Sequence, residues 1–227
     1  MRPPIYLDYQ ATTPVAPEVA AAMRPWIDAN FANPHSPSSL GREAAAAIEV
    51  ARGRVMKALG GPPGIGALLV RDTATLEAIG GQEGGFRPGT AAVPSIMGFA
   101  AACEADHGWY EEAKRLRRKL DEGILAAGGE IVSAEAPRIA TIACYRMPGV
   151  PGAAQMMQLD LAGIAVTAGS ACASGSLKTS HVLTAMGWPE DEAREVIRVS
   201  FGPRTCESDI DALLDQWSAM YGKRRAA

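Results

Sequence analysis

Histidine and cysteine are scarce in this chain of 227 residues, which has three of the first and four of the second. The thiols, Cys103, Cys144, Cys172 and Cys206, lie far apart and form no C-x-x-C pair. Structural zinc needs clustered nitrogen and sulfur ligands, and a disulfide framework needs closely spaced partners. The pattern therefore argues against both, predicts no metal site, and points to the reducing cytosol. Long apolar runs are missing too. Nothing approaches the roughly 20 residues of a membrane-spanning helix, and Met1-Arg2-Pro3-Pro4 opens no secretory signal. Basic clusters are confined to Lys223-Arg224-Arg225, read as a frayed, solvated end. With 22 Lys and Arg against 25 Asp and Glu, the net charge of −3 argues against nucleic acid as a partner. There are no internal repeats. The chain does have 48% hydrophobic residues, enough to bury one good core.

Periodicity and breakers outline the organisation. After an extended N-terminal segment, Pro17-Glu18 opens a helix that runs to about residue 30, with proline suited to an early helical position. The loop 33–39 is rich in Pro and Ser. A second helix over 41–59 carries Ala45, Ile48, Val55 and Leu59 on one face, and Gly60-Gly61-Pro62-Pro63 stops it. The apolar run 67–70 reads as a strand. Helices are predicted over 94–105 and 109–127, the latter closed by Gly128-Gly129. A strand around 138–146, a helix over 150–161 and a short strand at 164–166 follow. Two short helices at 179–186 and 190–195, a strand at 197–201 and an amphipathic helix over 207–221 complete the chain. The alternation after residue 105 predicts a small sheet with helices packed against it.

One stretch stands out chemically. Thr167-Ala168-Gly169-Ser170-Ala171-Cys172-Ala173-Ser174-Gly175-Ser176 places a thiol among small residues directly after an apolar segment. Two readings of these residues stand. One is a Ser/Gly-rich turn with an incidental cysteine, since free Cys commonly behaves as a small buried hydrophobe. The other is an accessible, mobile loop whose thiolate swings between two partners.

The wider motifs bear on that choice. Gly169-Ser170-Ala171-Cys172, then Ser180-His181-Val182-Leu183 and Ile197-Arg198-Val199-Ser200-Phe201-Gly202, resemble the catalytic-cysteine region of the cysteine desulfurases. These are pyridoxal phosphate (PLP) enzymes of the class V aminotransferase group. Tyr6-Leu7-Asp8-Tyr9-Gln10-Ala11-Thr12-Thr13-Pro14, Phe31-Ala32-Asn33-Pro34, Gly41-Arg42-Glu43-Ala44 and the block from Gly80-Gly81-Gln82-Glu83 to Arg87-Pro88-Gly89-Thr90 extend the resemblance in the family's order. It implies an α/β fold: the C-terminal small domain of a fold-type I PLP-dependent transferase, with N-terminal helices packed on it and the large-domain core deleted. The expected organisation is one compact unit made of an N-terminal segment, 1–60, and a small α/β domain, 61–227, with a flexible junction at 60–64.

That deletion has chemical consequences. The segment 61–70 resembles the family's strand beyond the cofactor lysine, so the phosphate-binding turn, the stacking His, the pyridine-pairing Asp and the Ser-x-His-Lys motif have no counterpart. PLP chemistry needs a Schiff-base lysine and an acidic partner for the ring nitrogen. None of Lys57, Lys114, Lys119, Lys178 and Lys223 has that context, so no cofactor is expected. By resemblance, Cys172 is the nucleophile that becomes a persulfide, and Arg198 binds the substrate carboxylate through its planar fork. Asn33 lies near the substrate entrance, as do Ala11 and Thr12, and Thr90 reaches the PLP phosphate of a neighbouring subunit. His181 reads as structural. The family's Gly-Arg-Phe-Thr is replaced by Gly202-Pro203-Arg204-Thr205, where Arg204 either restores charge from a shifted position or marks a relaxed site.

Three functions fit. The first is a PLP-lysine-less relative whose Cys172 carries or relays persulfide sulfur for iron–sulfur cluster or thio-cofactor assembly. Its partner would be a full-length cysteine desulfurase or a sulfur-acceptor or scaffold protein, with a homodimer in keeping with the family's habit. The second is an active desulfurase with a rebuilt pocket. The third is a non-catalytic regulatory pseudoenzyme.

Overall fold

The computed structural model describes residues 4–29, 32–59, 77, 79, 80, 85, 89–169 and 179–226. The expected strand at 67–70, the junction at 60–64 and the Cys172 loop lie outside these residues. The chain divides into two compact units, residues 14–106 and residues 1–13 with 107–227, rather than forming the single unit expected from sequence. The division does not fall at 60/61 either. The helix beyond residue 90 packs with the two helices before residue 60, so all three fall in one unit.

The N-terminal strand β1 (Ile5–Tyr6) belongs to the discontinuous unit. The 14–106 unit contains α1 (Pro17–Asp28), α2 (Ser39–Leu59) and α3 (Val93–Glu104). Proline stands in the first turn of both α1 and α3, where the missing N–H has no intrahelical partner to lose. Ala44, Ile48, Ala51 and Val55 recur at three- and four-residue intervals and form the buried stripe of α2, packed against Val93 and Ala100 of α3. Gly98 makes the α1–α3 approach possible: a Cβ there would sit 2.8 Å from Met23 Sδ.

The other unit continues with α4 (Trp109–Ala126), β2 (Glu130–Ile131), β3 (Ile142–Arg146), α5 (Gly152–Leu161), β4 (Ile164–Ala165) and β5 (Thr167–Ala168). It ends with α6 (His181–Ala185), α7 (Glu190–Ala193), β6 (Val196–Ser200) and α8 (Glu207–Ala226). Its main sheet has the order β2-β3-β6-β5 and is antiparallel throughout. A second, two-stranded sheet pairs β1 with β4 in parallel. The strand expected at 164–166 is β4, paired with β1; past Val166, Thr167 and Ala168, read from sequence as the start of the cysteine loop, form β5 and pair with β6.

Side-chain alternation divides the main sheet into two faces. Ala143, Tyr145, Ile197 and Val199 join the large core with Leu116, Leu120 and Ile124 of α4 and Ile210, Leu213 and Trp217 of α8. Full burial of each large aliphatic side chain there stabilises the unit by about 1.5–3 kcal/mol. The opposite face carries Cys144, Val196 and Arg198. Val132, Leu183 and Ala193 cover part of it, packing with Val196 and against Cys144. Buried Gln155 donates to Val150 O and Glu195 O, both at 2.7 Å, tying the start of α5 to the entry of β6.

The α4–α8 seam is also held by charge. Lys119 Nζ donates to Glu207 Oε1 at 2.7 Å and Arg115 Nη2 to Glu207 Oε2 at 2.9 Å. These bonds, that of Lys119 foremost, hold the Glu207 carboxyl down at about 2 from its ordinary 4.5. A depressed acid contributes stability above its unfolded pKa and loses it as the folded group is protonated. The contribution is therefore complete above pH 4.5 and vanishes towards pH 2. Thermal denaturation across that window should show a shallower acid limb for Glu207→Gln than for the parent chain. High salt should shrink the difference, because the group is exposed.

Candidate functional site

The face of the main sheet opposite α4 and α8 lines a cavity of about 600 Å³. Arg198, at the centre of β6, lies opposite Cys144 of β3 and Thr167 of β5 in the strand register. The alternation that buries Ile197 and Val199 in the core turns these three residues to the cavity side. The far wall comes from α6, whose N-cap Ser180 side chain accepts from Leu183 N at 3.4 Å. His181 and Val182 on that helix, and Met186 just past its end, are exposed along the wall.

The N-terminal segment completes the site. Ile5 N donates to Gly163 O, Leu7 N to Ala165 O and Ser200 N to Leu7 O, at 2.8–3.0 Å. Threaded this way, Asp8 meets Arg198: Arg198 Nη2 donates to Asp8 Oδ1 at 3.0 Å, with both side chains 16% exposed. Thr167 donates its hydroxyl to Asp8 Oδ2. Gln10 N donates to Ser200 Oγ at 2.9 Å, bringing Gln10 to the cavity wall. Arg198 Nε has no hydrogen-bond partner among the described residues. The guanidinium is fixed through Nη2, and the side chain lines the cavity, where its charge faces any carboxylate that enters.

Cys144 is a wall group rather than a nucleophile. Burial pushes its thiol pKa up, against the weaker opposing pull of Arg198 and Arg117. The sequence motif had included Asp8 without giving it a role, and Thr167 and Cys144 had none beyond the loop and the thiol count. Asp8 and Arg198 stand 190 residues apart, so no local spacing signals their pairing.

The other predicted residues are placed as follows. Cys172 lies outside the described residues; the described chain reaches Gly169, at the cavity wall, and resumes at Thr179. Asn33 and Thr90 belong to the 14–106 unit and are exposed. Asn33 Oδ1 accepts from His35 N at 3.0 Å, an Asx-type turn. Arg204 is exposed on a turn closed by Gly202 N donating to Thr205 Oγ1 at 3.0 Å, and it does not line the cavity.

Lys57, Lys114 and Lys119 do not fit a Schiff-base site. Lys114 pairs with Glu111, and Lys57 is exposed in the last turn of α2. Lys119 is held between Asp211 and Glu207, which raise its pKa, whereas a Schiff-base amine needs a lowered one. None of the three lines the Arg198 cavity. Among the described residues there is no group of three or more His, Cys, Asp or Glu able to hold a metal ion, and no helix is long and apolar enough to cross a membrane.

Known proteins resemble this chain in sequence and in fold. A profile of the class V aminotransferases matches residues 56–213. An IscS-like cysteine desulfurase of Mycobacterium tuberculosis is 40% identical over 178 residues, covering 74% of this chain and 45% of that protein. Cysteine desulfurase IscS 1 of Archaeoglobus fulgidus is 37% identical over 169 residues, 68% of this chain and 43% of its own length. The chain thus spans less than half the length of these curated relatives. Among solved structures, a NifS-like protein from Rickettsia africae superposes with a TM-score of 0.78 at 19% identity, over 96% of this chain and 99% of that one, a likeness of fold. On these matches, the chain belongs to the class V aminotransferase family, as a cysteine-desulfurase-like member shorter than its relatives.

Proposed function

We propose that this protein mobilises sulfur in the cytosol without a cofactor lysine of its own, with Cys172 accepting a persulfide sulfur from a full-length cysteine desulfurase. The sulfur then passes to an acceptor or scaffold protein in iron–sulfur cluster or thio-cofactor assembly. The reading rests chiefly on one conjunction: the family's cysteine motif begins at Gly169, on the wall of the cavity that displays Arg198.

The chemistry needs neither an oxidant nor an external reductant. The Cys172 thiolate attacks the outer sulfur of the donor's persulfide, a new S–S bond forms, and the donor's S–S bond breaks. The donor cysteine leaves as its thiolate. Arg198, steadied by Asp8, receives a carboxylate presented in the cavity. Asn33 serves at the substrate entrance, and Thr90 contributes to the cofactor pocket of a partner subunit in trans.

Incubating the protein with an active desulfurase and cysteine, then mapping thiols by mass spectrometry, tests this directly. One added sulfur on Cys172 is expected, absent in Cys172→Ala and retained when Cys103, Cys144 or Cys206 is replaced. Equal labelling of all four thiols would sink the carrier role. So would a Schiff-base absorbance band on adding PLP to the protein alone, since that would assign it a catalytic lysine.

A further inference from the structure

A second cavity, of about 250 Å³, lies between α4 and the 136–140 segment that leads into β3. At about 30 Å³ per water it has room for a small ion with part of its hydration shell. Four cations line it, Lys114, Arg117, Arg118 and Arg138, with Ala136, Ile139 and Ala140 and no carboxylate. Lys114, Arg117 and Arg118 stand at i, i+3 and i+4 on α4, so three like charges share one helix face, an arrangement that destabilises a helix unless something opposes it.

Little on the protein does. Arg117 is only 7% exposed, and none of its three guanidinium nitrogens has a hydrogen-bond partner among the described residues. Its guanidinium carbon lies 5.3 Å from the Phe201 ring centre and 5.8 Å from that of Tyr145. Those aromatic faces offset part of the buried charge without supplying the lone-pair acceptors that its N–H groups need. The nearest carboxylate is Asp121, with Oδ1 3.9 Å from Arg117 Nη1 and Oδ2 3.8 Å from Arg138 Nη2. The Tyr145 hydroxyl also donates to Asp121 Oδ1, at 2.5 Å. One carboxylate is thus divided among two guanidinium groups and a phenol. Glu111 answers Lys114 at 2.7 Å, and Arg118 has no ion pair among the described residues. Four positive groups therefore face two negative ones, and the deeper cation lies under the floor of an open cavity.

We propose that this cavity binds a tetrahedral oxyanion of the phosphate class, free or as a monoester. Arg118 and Arg138 grip its oxygens at the rim, with Lys114 beside them, and buried Arg117 supplies a fixed positive field from below. The charge of at least −1.5 on such an ion matches the local excess, and paired guanidinium groups suit its geometry. Arg138 and Ile139 also border the Arg198 cavity, so the two cavities adjoin at that segment, but Lys114, Arg117 and Arg118 lie on the α4 side of the sheet and Arg198 on the other. It stands independently of the sulfur-transfer reading.

Thermal unfolding and ³¹P line widths, measured with inorganic phosphate and with phenyl phosphate against chloride at matched ionic strength, test the proposal. Phosphate at a hundredfold excess over its dissociation constant should raise the Tm by about 5–10 °C. Arg118→Gln combined with Arg138→Gln should abolish both the shift and the line broadening while leaving the near-ultraviolet circular dichroism unchanged. Arg198→Gln should keep both. Tighter binding of phenyl phosphate supports the site and identifies its ligand as an ester; tighter inorganic phosphate supports it as a site for the free ion. A phosphate shift no larger than that in chloride, one that survives the double substitution, or one lost in Arg198→Gln would overturn the assignment.

Discussion

Trp217→Ala is expected to destabilise the unit built on α4 and α8 by about 3–5 kcal/mol, the usual range for deleting a fully buried indole. Trp217 has no exposed surface and sits in the stripe Ile210, Leu213, Trp217, Met220 that α8 turns to the sheet. It meets the Tyr145 ring edge-on, with centroids 6.4 Å apart, a contact worth about 0.5–1.5 kcal/mol beyond buried area. It also packs where Gly129 leaves room, since a Cβ on Gly129 would come within 3.0 Å of its ring. One effect works the other way: the indole N–H has no acceptor among the described residues, so removing it recovers a desolvation cost. Trp217→Phe keeps most of the volume and loses that donor, and should cost only about 1 kcal/mol. Urea denaturation distinguishes the pair, with a large midpoint shift and unchanged m-value for Ala and a small shift for Phe. Equal shifts would show that the N–H, rather than the packed volume, decides the energy at this position.

Features whose causes are local in sequence could be read before the structure. The helices α2, α4 and α8 follow from apolar residues at three- and four-residue spacing, and their observed bounds differ from the predicted ones by no more than five residues. Strand β6 was legible as a short β-branched run. Strand β2 was missed, because Glu130–Ile131 is two residues long and owes its form to pairing with Tyr145 and Arg146. The change of sheet at Val166 was missed for the same reason: β4 and β5 are each two residues long, and only their distant partners distinguish them. Lys114 and Lys119 look alike in sequence, both within the helix predicted over 109–127 and neither in a Schiff-base context. The structure separates them, since Lys119 bridges to α8 while Lys114 edges the cationic cavity. Arg198 could be named from its motif, but the motif does not say that Asp8 holds it. That depends on a chain reversal spanning nearly the whole sequence.

That contact gives the other large expected effect. Asp8→Ala removes the counter-charge of Arg198 and the acceptor of the Thr167 hydroxyl together. Breaking a fully buried pair costs about 3–5 kcal/mol, and with each side chain 16% exposed the cost here should be nearer about 2–3 kcal/mol. The loss stays local, because backbone hydrogen bonds from Ile5, Leu7 and Ser200 hold the N-terminal segment without the Asp8 side chain. Arg198→Met leaves the carboxylate with Thr167 alone and should cost a comparable amount. The double substitution should cost less than the sum of the two, by roughly 1–3 kcal/mol, the coupling expected for groups in direct contact. Strict additivity would mean that the ion pair contributes nothing. Binding should move in the opposite direction from stability. Asp8 competes with any carboxylate entering the cavity, so Asp8→Ala should bind acetate more tightly, about tenfold for each 1.4 kcal/mol of lost competition. Arg198→Met should not bind it at all. Titration calorimetry on the folded variants would separate a guanidinium reserved for a ligand from one whose role ends with Asp8.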